Sequence, residues 1–212
     1  MIAIAVSEEI FIFVCKTESF IMPKAKDPDK AKAIHRAAMM LVIETGFSGL
    51  KMADVAKEAG MATGTLYIYY KSKDELINDI YLETKKEIIA LLTNPNLVTE
   101  TFYTAYRNRW FAYFNYCLKN PEKMLFVEQF LYSGYIEESI YNQVEELFKP
   151  LNQFLLDGQK NGLVKQLDIE ILKAQMEGAI HEIIKMTVKR GKTLDAELKH
   201  ECFNMAWDSV KQ

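Results

Sequence analysis

Hydroxyl, ammonium and small side chains that suit contact with a polyanion are concentrated in one stretch of this 212-residue chain. Lysine ammonium groups attract phosphate oxygens, hydroxyl groups donate hydrogen bonds to phosphates or base edges, and glycine permits close approach of the backbone. The chemistry that these residue types predict is noncovalent recognition of nucleic acid. The candidate contact residues are Lys51, Thr63, Gly64, Thr65, Tyr67, Tyr69, Lys71 and Lys73.

Motifs of catalysis are missing from the sequence. In the segment His181-Glu182-Ile-Ile-Lys185, a lysine stands where a zinc protease helix has its second histidine. Residues 60–64 lack both the spacing and the lysine of a phosphate-binding loop, and no Gly-x-Ser-x-Gly occurs. We therefore expect a protein that is not an enzyme and that has no cofactor.

The cysteines and the hydropathy pattern indicate the cellular compartment in which the protein is expected. Cys15, Cys117 and Cys202 are widely spaced and show no metal-ligand pairing, which fits a reducing cytoplasm. No apolar run reaches the roughly 18 residues that a membrane-spanning helix needs. The short apolar run at residues 10–14 follows two glutamates, and no cleavage signal comes after it, so a signal peptide is not predicted. These features predict a cytoplasmic protein with no membrane partner.

Two short helices joined by a tight turn must position the candidate contact residues. The first helix is predicted from apolar residues at i, i+3, i+4 and i+7, and it ends at Gly60, where a left-handed conformation can turn the chain. Met61, Leu66 and Tyr70 then face the same core, which leaves one polar and aromatic face of the second helix exposed. Such a helix fits the major groove of DNA. The apolar stripe is Met52, Val55, Ala56 and Ala59, and the exposed face is Thr63, Gly64, Tyr67 and Ile68.

A capping box, Ser72 to Glu75, predicts that a long helix begins at Lys73. The exposed amides of this helix and the ammonium groups of Lys71 and Lys73 would then form a phosphate clamp. A lysine at the positive end of a helix is unfavourable unless an anion is near, which favours this function for Lys73.

An amphipathic helix is predicted ahead of this motif, from about Pro28 to Thr45, with Gly46 closing it. It completes a three-helix head. Between Met22 and Lys73, nine Lys or Arg residues stand against five Asp or Glu residues, whereas the whole chain has a net charge of −3. Positive charge is thus concentrated in the segment that is predicted to bind DNA.

The stretch from about Ala33 to Leu76 resembles the DNA-binding domain of the tetracycline-repressor (TetR) family of bacterial transcription regulators. The resemblance implies contacts with bases or phosphates from Thr63, Thr65, Tyr67, Tyr69 and Lys73. Three positions depart from the family pattern: Lys51 and Ala62 stand where helix-capping hydroxyls are common, and Ala53 stands where a basic residue is common. A lost side-chain cap costs about 1 kcal/mol, which a packed domain tolerates. The matching residues are Ala37-Ala38, Gly46-Phe47, Asp54-Val55-Ala56, Ala59-Gly60, Gly64-Thr65-Leu66-Tyr67, Tyr70 and Ser72-Lys73-Asp74-Glu75-Leu76.

Several of the predicted contacts have a purely structural alternative. Thr63 could serve only as a helix N-cap, Tyr67 could pack on the surface, and Lys71 could be one more solvated lysine. Leu66 and Tyr70 are predicted core residues.

The rest of the chain is predicted to be helical, which gives an all-α fold of about nine helices with no sheet. We predict a helix-turn-helix DNA-binding head at residues 22–72 and an effector-binding and dimerisation domain at residues 73–212. Residues 1–21 precede the resemblance, and they are expected to be a spurious or flexible extension; the alternative is an apolar arm that docks on the body or on a partner. The helices predicted after the head span about 73–93, 99–118, 121–133, 137–159, 168–190 and 194–210.

Eight aromatic residues lie between Phe102 and Tyr116, so the helix predicted there is apolar on most of its circumference. The residues alone fit a filled aromatic core as well as a ligand cavity, since buried tyrosine and tryptophan need polar partners and often line mixed pockets. The TetR resemblance implies an effector pocket among the middle helices and so favours a cavity for a largely apolar small molecule. Taken alone, His181 is more typical of a core histidine than of a ligand contact. The predicted lining is Tyr103, Tyr106, Trp110, Tyr113, Phe114, Phe126, Phe130, Tyr141, Phe148, Met176 and His181.

The last two predicted helices have apolar stripes that could pack inward or against a partner. Gly178 and Ala179 permit close helix approach, and the resemblance implies that both helices join their copies in a four-helix homodimer interface. Such a dimer would bind a pseudo-palindromic DNA operator and release it when the small molecule binds. The alternative is a dimeric DNA-binding protein whose body binds another protein. The predicted interface residues are Ile169, Leu172, Gly178, Ala179, Ile183, Leu198, Cys202 and Met205.

Overall fold

The computed structural model describes residues 27–97, 101–191 and 193–212. Within these ranges the chain forms nine α-helices and no sheet, apart from one isolated antiparallel bridge between Val164 and Lys211, so the all-α prediction is confirmed. Residues 1–21, the basic arm before Asp27 and the predicted helix start near Thr99 lie outside the described residues. The helices are α1 (Pro28–Gly49), α2 (Met52–Glu58), α3 (Thr63–Tyr69), α4 (Lys73–Leu92), α5 (Phe102–Lys119), α6 (Pro121–Leu131), α7 (Glu138–Lys160), α8 (Ile169–Arg190) and α9 (Ala196–Val210).

Helices α1 to α3 form the predicted three-helix head. At Gly46 the backbone leaves the helical region, with φ 72° and ψ 170°, so the regular part of α1 ends where the glycine predicts. Gly60, with φ 68°, turns the chain between α2 and α3 in the same way. Ile34, Val55 and Leu66 are fully buried and join the three helices in one core.

The start of α4 follows the predicted capping box in part. The hydroxyl of Ser72 accepts a hydrogen bond from the Glu75 backbone N–H at 3.0 Å, as a capping residue should. The Glu75 carboxylate, however, accepts from the backbone N–H of Lys71 at 2.7 Å rather than from that of Ser72. Glu75 therefore binds both Ser72 and Lys71, the two residues that precede α4.

Helix α5 runs through the second domain, where it contacts α4, α6, α8 and α9. Its residues Tyr106, Trp110 and Phe114 are almost fully buried, as the aromatic stripe predicts. The start of α5 packs closely on α7: the Phe102 ring stacks on Phe154 with centroids 4.4 Å apart. No helix in the described part of the chain is long and apolar enough to cross a membrane.

The head contacts the second domain through an aromatic cluster. The Phe47 ring lies 5.4 Å from the Phe126 ring and 5.5 Å from the Phe130 ring, both of which belong to α6. All three side chains are buried in the same core as the head residues. The head and α6 therefore share one hydrophobic core.

Asn78 joins α4 to the loop between α6 and α7. Its side-chain amide donates to the backbone oxygen of Asp74 at 2.9 Å and to that of Tyr135 at 3.0 Å. Its side-chain oxygen accepts from the Glu137 backbone N–H at 3.1 Å. Because the side chain is buried and fully hydrogen-bonded, this loop has a fixed position against α4.

Candidate DNA-binding surface and effector cavity

The exposed face of α3 is the surface that was predicted to enter a DNA groove. Thr63, Gly64, Tyr67 and Ile68 are exposed there, and Thr65 is partly buried. A Cβ added to Gly64 would meet no atom of the described protein within 4 Å, so the space above this backbone is open. The opposite face of α3 is buried in the head, which leaves small, hydroxyl and aromatic groups pointing outward from a rigid helix.

Tyr69 does not belong to this face. Its side chain is 7% exposed, and its hydroxyl accepts a hydrogen bond from the Asp27 backbone N–H at 3.1 Å. The placement of Tyr69 beside Tyr67 as an exposed phosphate contact was wrong, because residues two apart on an α-helix face different directions. Tyr69 instead holds the start of α1 against α3.

The lysines of the predicted DNA contact have different surroundings. Lys71 is exposed just before α4, and Lys51 is exposed just before α2. The Lys73 ammonium instead donates to the Phe47 carbonyl oxygen at 3.0 Å and to the Tyr135 hydroxyl at 3.4 Å, and it lies 4.9 Å from the centroid of the Tyr135 ring. The phosphate clamp assigned to Lys73 is therefore corrected: its ammonium binds groups at the junction of the head and the second domain.

A polar cluster fixes α1, the end of α3 and α4 together behind the recognition surface. The Tyr70 hydroxyl donates to Asp79 Oδ2 at 2.8 Å, and His35 Nε2 lies 2.7 Å from the Tyr70 hydroxyl and 3.1 Å from Asp79 Oδ2. The hydrogen bond with His35 lowers the pKa of Asp79, while burial raises the pKa of Tyr70. Tyr70 is thus the core residue that was predicted, with a polar role in addition.

A cavity of about 80 Å³ lies between α5, α7 and α8 in the second domain. Each of these helices contributes residues at i, i+3, i+4 and i+7, so one face of each helix forms a wall. Helix α4 reaches the cavity through Leu92, its last residue. The wall is formed by Leu92 with Tyr106, Arg109, Trp110 and Tyr113 of α5, Phe148, Leu151, Asn152, Phe154 and Leu155 of α7, and Lys173, Met176, Glu177 and Ile180 of α8.

Five of the predicted lining residues contact this cavity: Tyr106, Trp110, Tyr113, Phe148 and Met176. The other six lie elsewhere, because the aromatic residues of α5 and α6 cover more than one face of each helix. Tyr103 packs on Trp207 of α9, Phe114 stacks against Trp110, and Phe126 and Phe130 pack on Phe47. Tyr141 and His181 line an adjoining groove that shares Phe148, Lys173 and Glu177 with the cavity.

This groove is open to solvent, measures about 500 Å³ and lies between α4, α6, α7 and α8. The hydroxyl of Tyr113, which lines the cavity, lies 2.8 Å from His181 Nε2, which lines the groove. Burial lowers the pKa of His181 and raises that of Tyr113. His181 is thus partly buried, with a hydrogen-bond partner in Tyr113.

Polar residues of the cavity wall were missed, among them Arg109 and Asn152. Arg109 follows Tyr106 by three residues, and Asn152 follows Phe148 by four, which is the spacing of a shared helix face. The periodicity alone could have included both residues. They were passed over because charged and amide side chains are mostly found at the surface.

Helices α8 and α9 expose apolar side chains on one side of the second domain. Leu198 and Met205 are 47% and 72% exposed, as an interface would require, but Leu172 is 2% exposed and belongs to the protomer core, so its place in an interface was wrong. Ile171 and Met186 of α8, which are not among the predicted residues, are exposed as well. The other predicted interface residues are exposed or partly buried: Ile169, Gly178, Ala179, Ile183 and Cys202.

A helix-turn-helix head on an all-helical second domain defines a class of DNA-binding regulators. Residues 34–80 match the family described as bacterial regulatory proteins, tetR family, and residues 102–211 match the tetracyclin repressor-like, C-terminal domain. The chain therefore belongs to the TetR family. It is a transcriptional regulator with a helix-turn-helix DNA-binding domain, and not an enzyme.

Individual relatives agree with this assignment. An uncharacterized HTH-type transcriptional regulator of Haemophilus influenzae is 30% identical over 149 residues, which are 68% of this chain and 75% of the relative. The crystal structure of a TetR family transcription regulator from Marinobacter aquaeolei has a TM-score of 0.81 at 26% identity, covering 88% of this chain and 97% of that one. The transcriptional regulator FadR from Bacillus subtilis, solved in complex with stearoyl-CoA, shares the fold, with a TM-score of 0.63 at 20% identity over 84% of this chain and 95% of its own.

Proposed function

We propose that this regulator is a homodimeric repressor that releases a pseudo-palindromic operator when a largely apolar small molecule binds the cavity of the second domain. In this proposal the exposed face of α3 enters the major groove, where Thr63 and Thr65 contact base edges and Tyr67 contacts a phosphate. Lys51 and Lys71 add positive charge beside the DNA backbone. The exposure of these side chains on the head supports the assignment.

The cavity favours a small-molecule effector over a protein partner for the second domain. A filled, dry aromatic core would have favoured the protein partner. Instead, the wall combines apolar side chains with four polar side chains that each have one buried atom without a hydrogen-bond partner. Such a wall suits a small molecule that is mostly apolar and has a few polar atoms. The shared fold of FadR, which binds stearoyl-CoA, is a precedent for this kind of ligand.

The observation that supports operator release is that α4 belongs to both sites. It begins at Lys73, against the head, and its last residue, Leu92, contributes to the cavity wall. A helix of its 20 residues is about 30 Å long and moves as a rigid unit. A ligand that favours one position of α4 therefore favours one spacing of the two heads, and DNA must weaken ligand binding by the same factor.

The apolar surface of α8 and α9 supports the homodimer. Leu198, Cys202 and Met205 follow one another at i, i+4 and i+7 on α9, and Gly178 leaves room for a partner helix on α8. A two-fold axis would pair this surface with itself and place two copies of α3 about one DNA turn apart, or a multiple of it. The pseudo-palindromic form of the operator follows from that symmetry.

The release mechanism is tested with DNA that the protein itself selects from a random library. We expect the selected sequences to be pseudo-palindromic. Small molecules that co-purify with the protein are identified by mass spectrometry and then added back to the protein–DNA complex. They should weaken DNA binding, and the selected DNA should weaken their binding by the same factor. A molecule that fills the cavity and leaves DNA affinity unchanged would refute release.

The dimer is tested with Met205→Glu, and Leu156→Glu of α7 is the matched control. Both side chains are exposed and apolar, at 72% and 43%, but only Met205 lies on the α8 and α9 surface. Met205→Glu should yield monomers in light scattering and lower operator affinity by about tenfold or more, since it buries a charge in the interface. Leu156→Glu should change neither. A Met205→Glu protein that remains dimeric would place the interface elsewhere.

A further inference from the structure

Four residues of the cavity wall each have a buried polar side-chain atom without a hydrogen-bond partner. These atoms are Tyr106 Oη, Arg109 Nε, Trp110 Nε1 and Asn152 Oδ1, and no other buried side-chain nitrogen or oxygen of this kind occurs in the described part of the chain. Such atoms are rare in folded proteins, because each has lost its hydration without a replacement. Their position around one cavity points to a ligand that hydrogen-bonds there.

The four groups call for a hydrogen-bond acceptor. The indole nitrogen of Trp110 and Nε of Arg109 can only donate, and the hydroxyl of Tyr106 can donate. Burial raises the pKa of Tyr106, so this hydroxyl keeps its proton at neutral pH. The amide of Asn152 presents either its oxygen or its nitrogen on rotation. The matching ligand group therefore has several lone pairs.

Arg109 adds a positive charge that lacks a carboxylate partner among the described residues. Its Nη1 donates to the backbone oxygens of Ala105 at 3.0 Å and Leu97 at 3.4 Å, and its guanidinium lies 4.4 Å from the centroid of the Phe154 ring. Burial lowers the pKa of Arg109. Lys173, the other cation of the wall, already pairs with a carboxylate of its own helix at 2.8 Å. An anion beside Arg109 would compensate its charge.

Glu177 is also a residue of the cavity wall, but its carboxylate influences the pKa values of residues other than Arg109 and Tyr106. It affects the pKa of Tyr113 and of His181. By contrast, burial is the cause of the pKa shifts of Arg109 and Tyr106, with no contribution from a carboxylate. No ion pair joins Glu177 to Arg109 among the described residues, so the guanidinium is left for a ligand.

We propose that the effector is an amphipathic carboxylate, whose carboxylate group binds Arg109, Tyr106 and Trp110 and whose apolar chain lies along Met176 and Ile180. This inference rests on the proposed function and specifies its ligand. A guanidinium donates two parallel hydrogen bonds to a carboxylate, and the carboxylate has about four lone-pair sites for the remaining donors. A neutral ester or thioester would offer acceptors but leave the arginine charge uncompensated.

The size of the cavity links ligand entry to movement of its walls. At about 80 Å³ it is smaller than the roughly 300–1,000 Å³ of typical small-molecule sites, so a chain of several carbons must either displace side chains of the wall or extend into the neighbouring groove, which shares Phe148, Lys173 and Glu177 with the cavity. Met176 is unbranched and adapts to such a change. Leu92 of α4 lies in the same wall. A chain that displaces Leu92 would thereby move the helix that leads to the head.

Decanoate and two probes of the same chain length, methyl decanoate and decylammonium, test the charge of the head group. Each is titrated into the full-length protein by calorimetry, with tryptophan fluorescence as a second readout. Charge-assisted hydrogen bonds are about twice as strong as neutral ones, so decanoate should bind about tenfold more tightly than its methyl ester, and decylammonium should bind most weakly.

Arg109→Gln removes the charge and keeps a hydrogen-bonding side chain, and Arg107→Gln is the matched control. Arg107 belongs to the same helix and also lies over an aromatic ring, Phe111 at 5.1 Å, but it does not line the cavity. Arg109→Gln should weaken decanoate binding by about tenfold or more and methyl decanoate binding by less than about threefold. Arg107→Gln should change neither affinity.

Tyr106→Phe provides a second variant, which removes a hydroxyl that has no partner in the protein. Its melting temperature should stay the same or rise, while decanoate affinity falls by about threefold or more. A clear loss of thermal stability without any loss of decanoate affinity would show that the hydroxyl has a structural role and would count against the ligand assignment.

The carboxylate assignment is overturned if the wild type and Arg109→Gln bind acid and ester alike, if decylammonium binds best, or if no straight-chain carboxylate of about six to twelve carbons binds.

Failure of the proposed release mechanism would give a different set of results. If decanoate fails but a co-purified molecule of another class releases the selected DNA, only the carboxylate assignment is wrong. If decanoate binds through Arg109 and DNA affinity does not change, the release mechanism is wrong.

Discussion

The ammonium nitrogen of Lys73 lies 3.0 Å from the carbonyl oxygen of Phe47, at the junction of the DNA-binding head and the second domain. The Phe47 ring in turn packs on Phe126 and Phe130 of α6. One residue at the end of α1 is therefore bound to α4 through its backbone and to α6 through its side chain. A displacement of either helix changes the position of the head through Phe47.

We expect Lys73→Ala to lower the melting temperature and to leave the salt dependence of DNA binding unchanged, because the ammonium binds protein groups. The lost hydrogen bonds are worth about 1 kcal/mol. Lys71→Ala is the control on an exposed neighbour: it should keep the melting temperature and reduce the slope of log affinity against log salt by about 0.9. If Lys73→Ala reduced that slope, its ammonium would reach a phosphate, contrary to this structure.

Gly64→Ala should lower operator affinity without lowering the stability of the fold. The added methyl group would meet no protein atom within 4 Å, and alanine is favoured over glycine in a helix by about 1 kcal/mol. The melting temperature should therefore stay the same or rise, while operator affinity falls because the methyl group stands between backbone and DNA. Thermal melts and gel-shift titrations measure the two effects. Full operator affinity in the variant would place DNA away from this part of α3.

Thr63→Val and Tyr67→Phe should affect DNA binding in different ways. A base contact from Thr63 distinguishes sequences by about 1–3 kcal/mol, so its loss should relax the preference at one base position of each half-site. A phosphate contact from Tyr67 contains no sequence information, so its loss should weaken binding to all sequences equally. Selection from random DNA, repeated with each variant, measures both outcomes. An unaltered sequence preference for Thr63→Val would show that Thr63 makes no base contact; the alternative role as a helix N-cap does not apply, since Ala62 is the N-cap of α3.

Gly158→Ala should destabilise the second domain. A Cβ at this position would lie 2.5 Å from Phe102 Cζ and 2.9 Å from Val164 Cγ2, so the Phe102 ring, which stacks on Phe154, or α7 itself would have to shift. Overpacking of this kind costs about 1–3 kcal/mol in the free energy of unfolding. Gly64→Ala is the matched helical control, since its Cβ would meet nothing within 4 Å. Equal melting temperatures for Gly158→Ala and the wild type would contradict this packing.

The free energy of unfolding should decrease as the pH is lowered, because His181 is harder to protonate in the folded protein than in the unfolded chain. Burial holds the pKa of His181 below its ordinary value of 6.5, so in mild acid the unfolded chain takes up a proton there before the folded chain does. This residue therefore stabilises the fold at pH values above 6.5, and its contribution is lost progressively as the pH decreases towards the folded pKa. Denaturant titrations of the wild type and His181→Gln should converge as the pH falls from about 7.5 to 5. A difference in the free energy of unfolding that is independent of pH would show that His181 does not titrate in this way.

Features that depend on neighbouring residues along the chain could be predicted from the sequence. The glycines at 46 and 60, the capping hydroxyl of Ser72 and the cap Asp168 with Gly191 after α8 mark helix ends as expected. The periodicity of apolar residues likewise predicted the helix-turn-helix core. These features are local, because a cap or a left-handed turn involves atoms only a few residues apart.

The sequence by itself determined the fold class, the family and most helix ends to within a few residues, whereas only the tertiary structure decided which face of each helix meets which neighbour. Periodicity shows that residues share a face, but it does not show what that face contacts. For this reason Lys73 was assigned to DNA although Phe47, 26 residues away, binds it, and Leu172 was assigned to an interface although it is buried. The cavity likewise depends on Arg109 and Asn152, which belong to different helices and come together only when those helices pack.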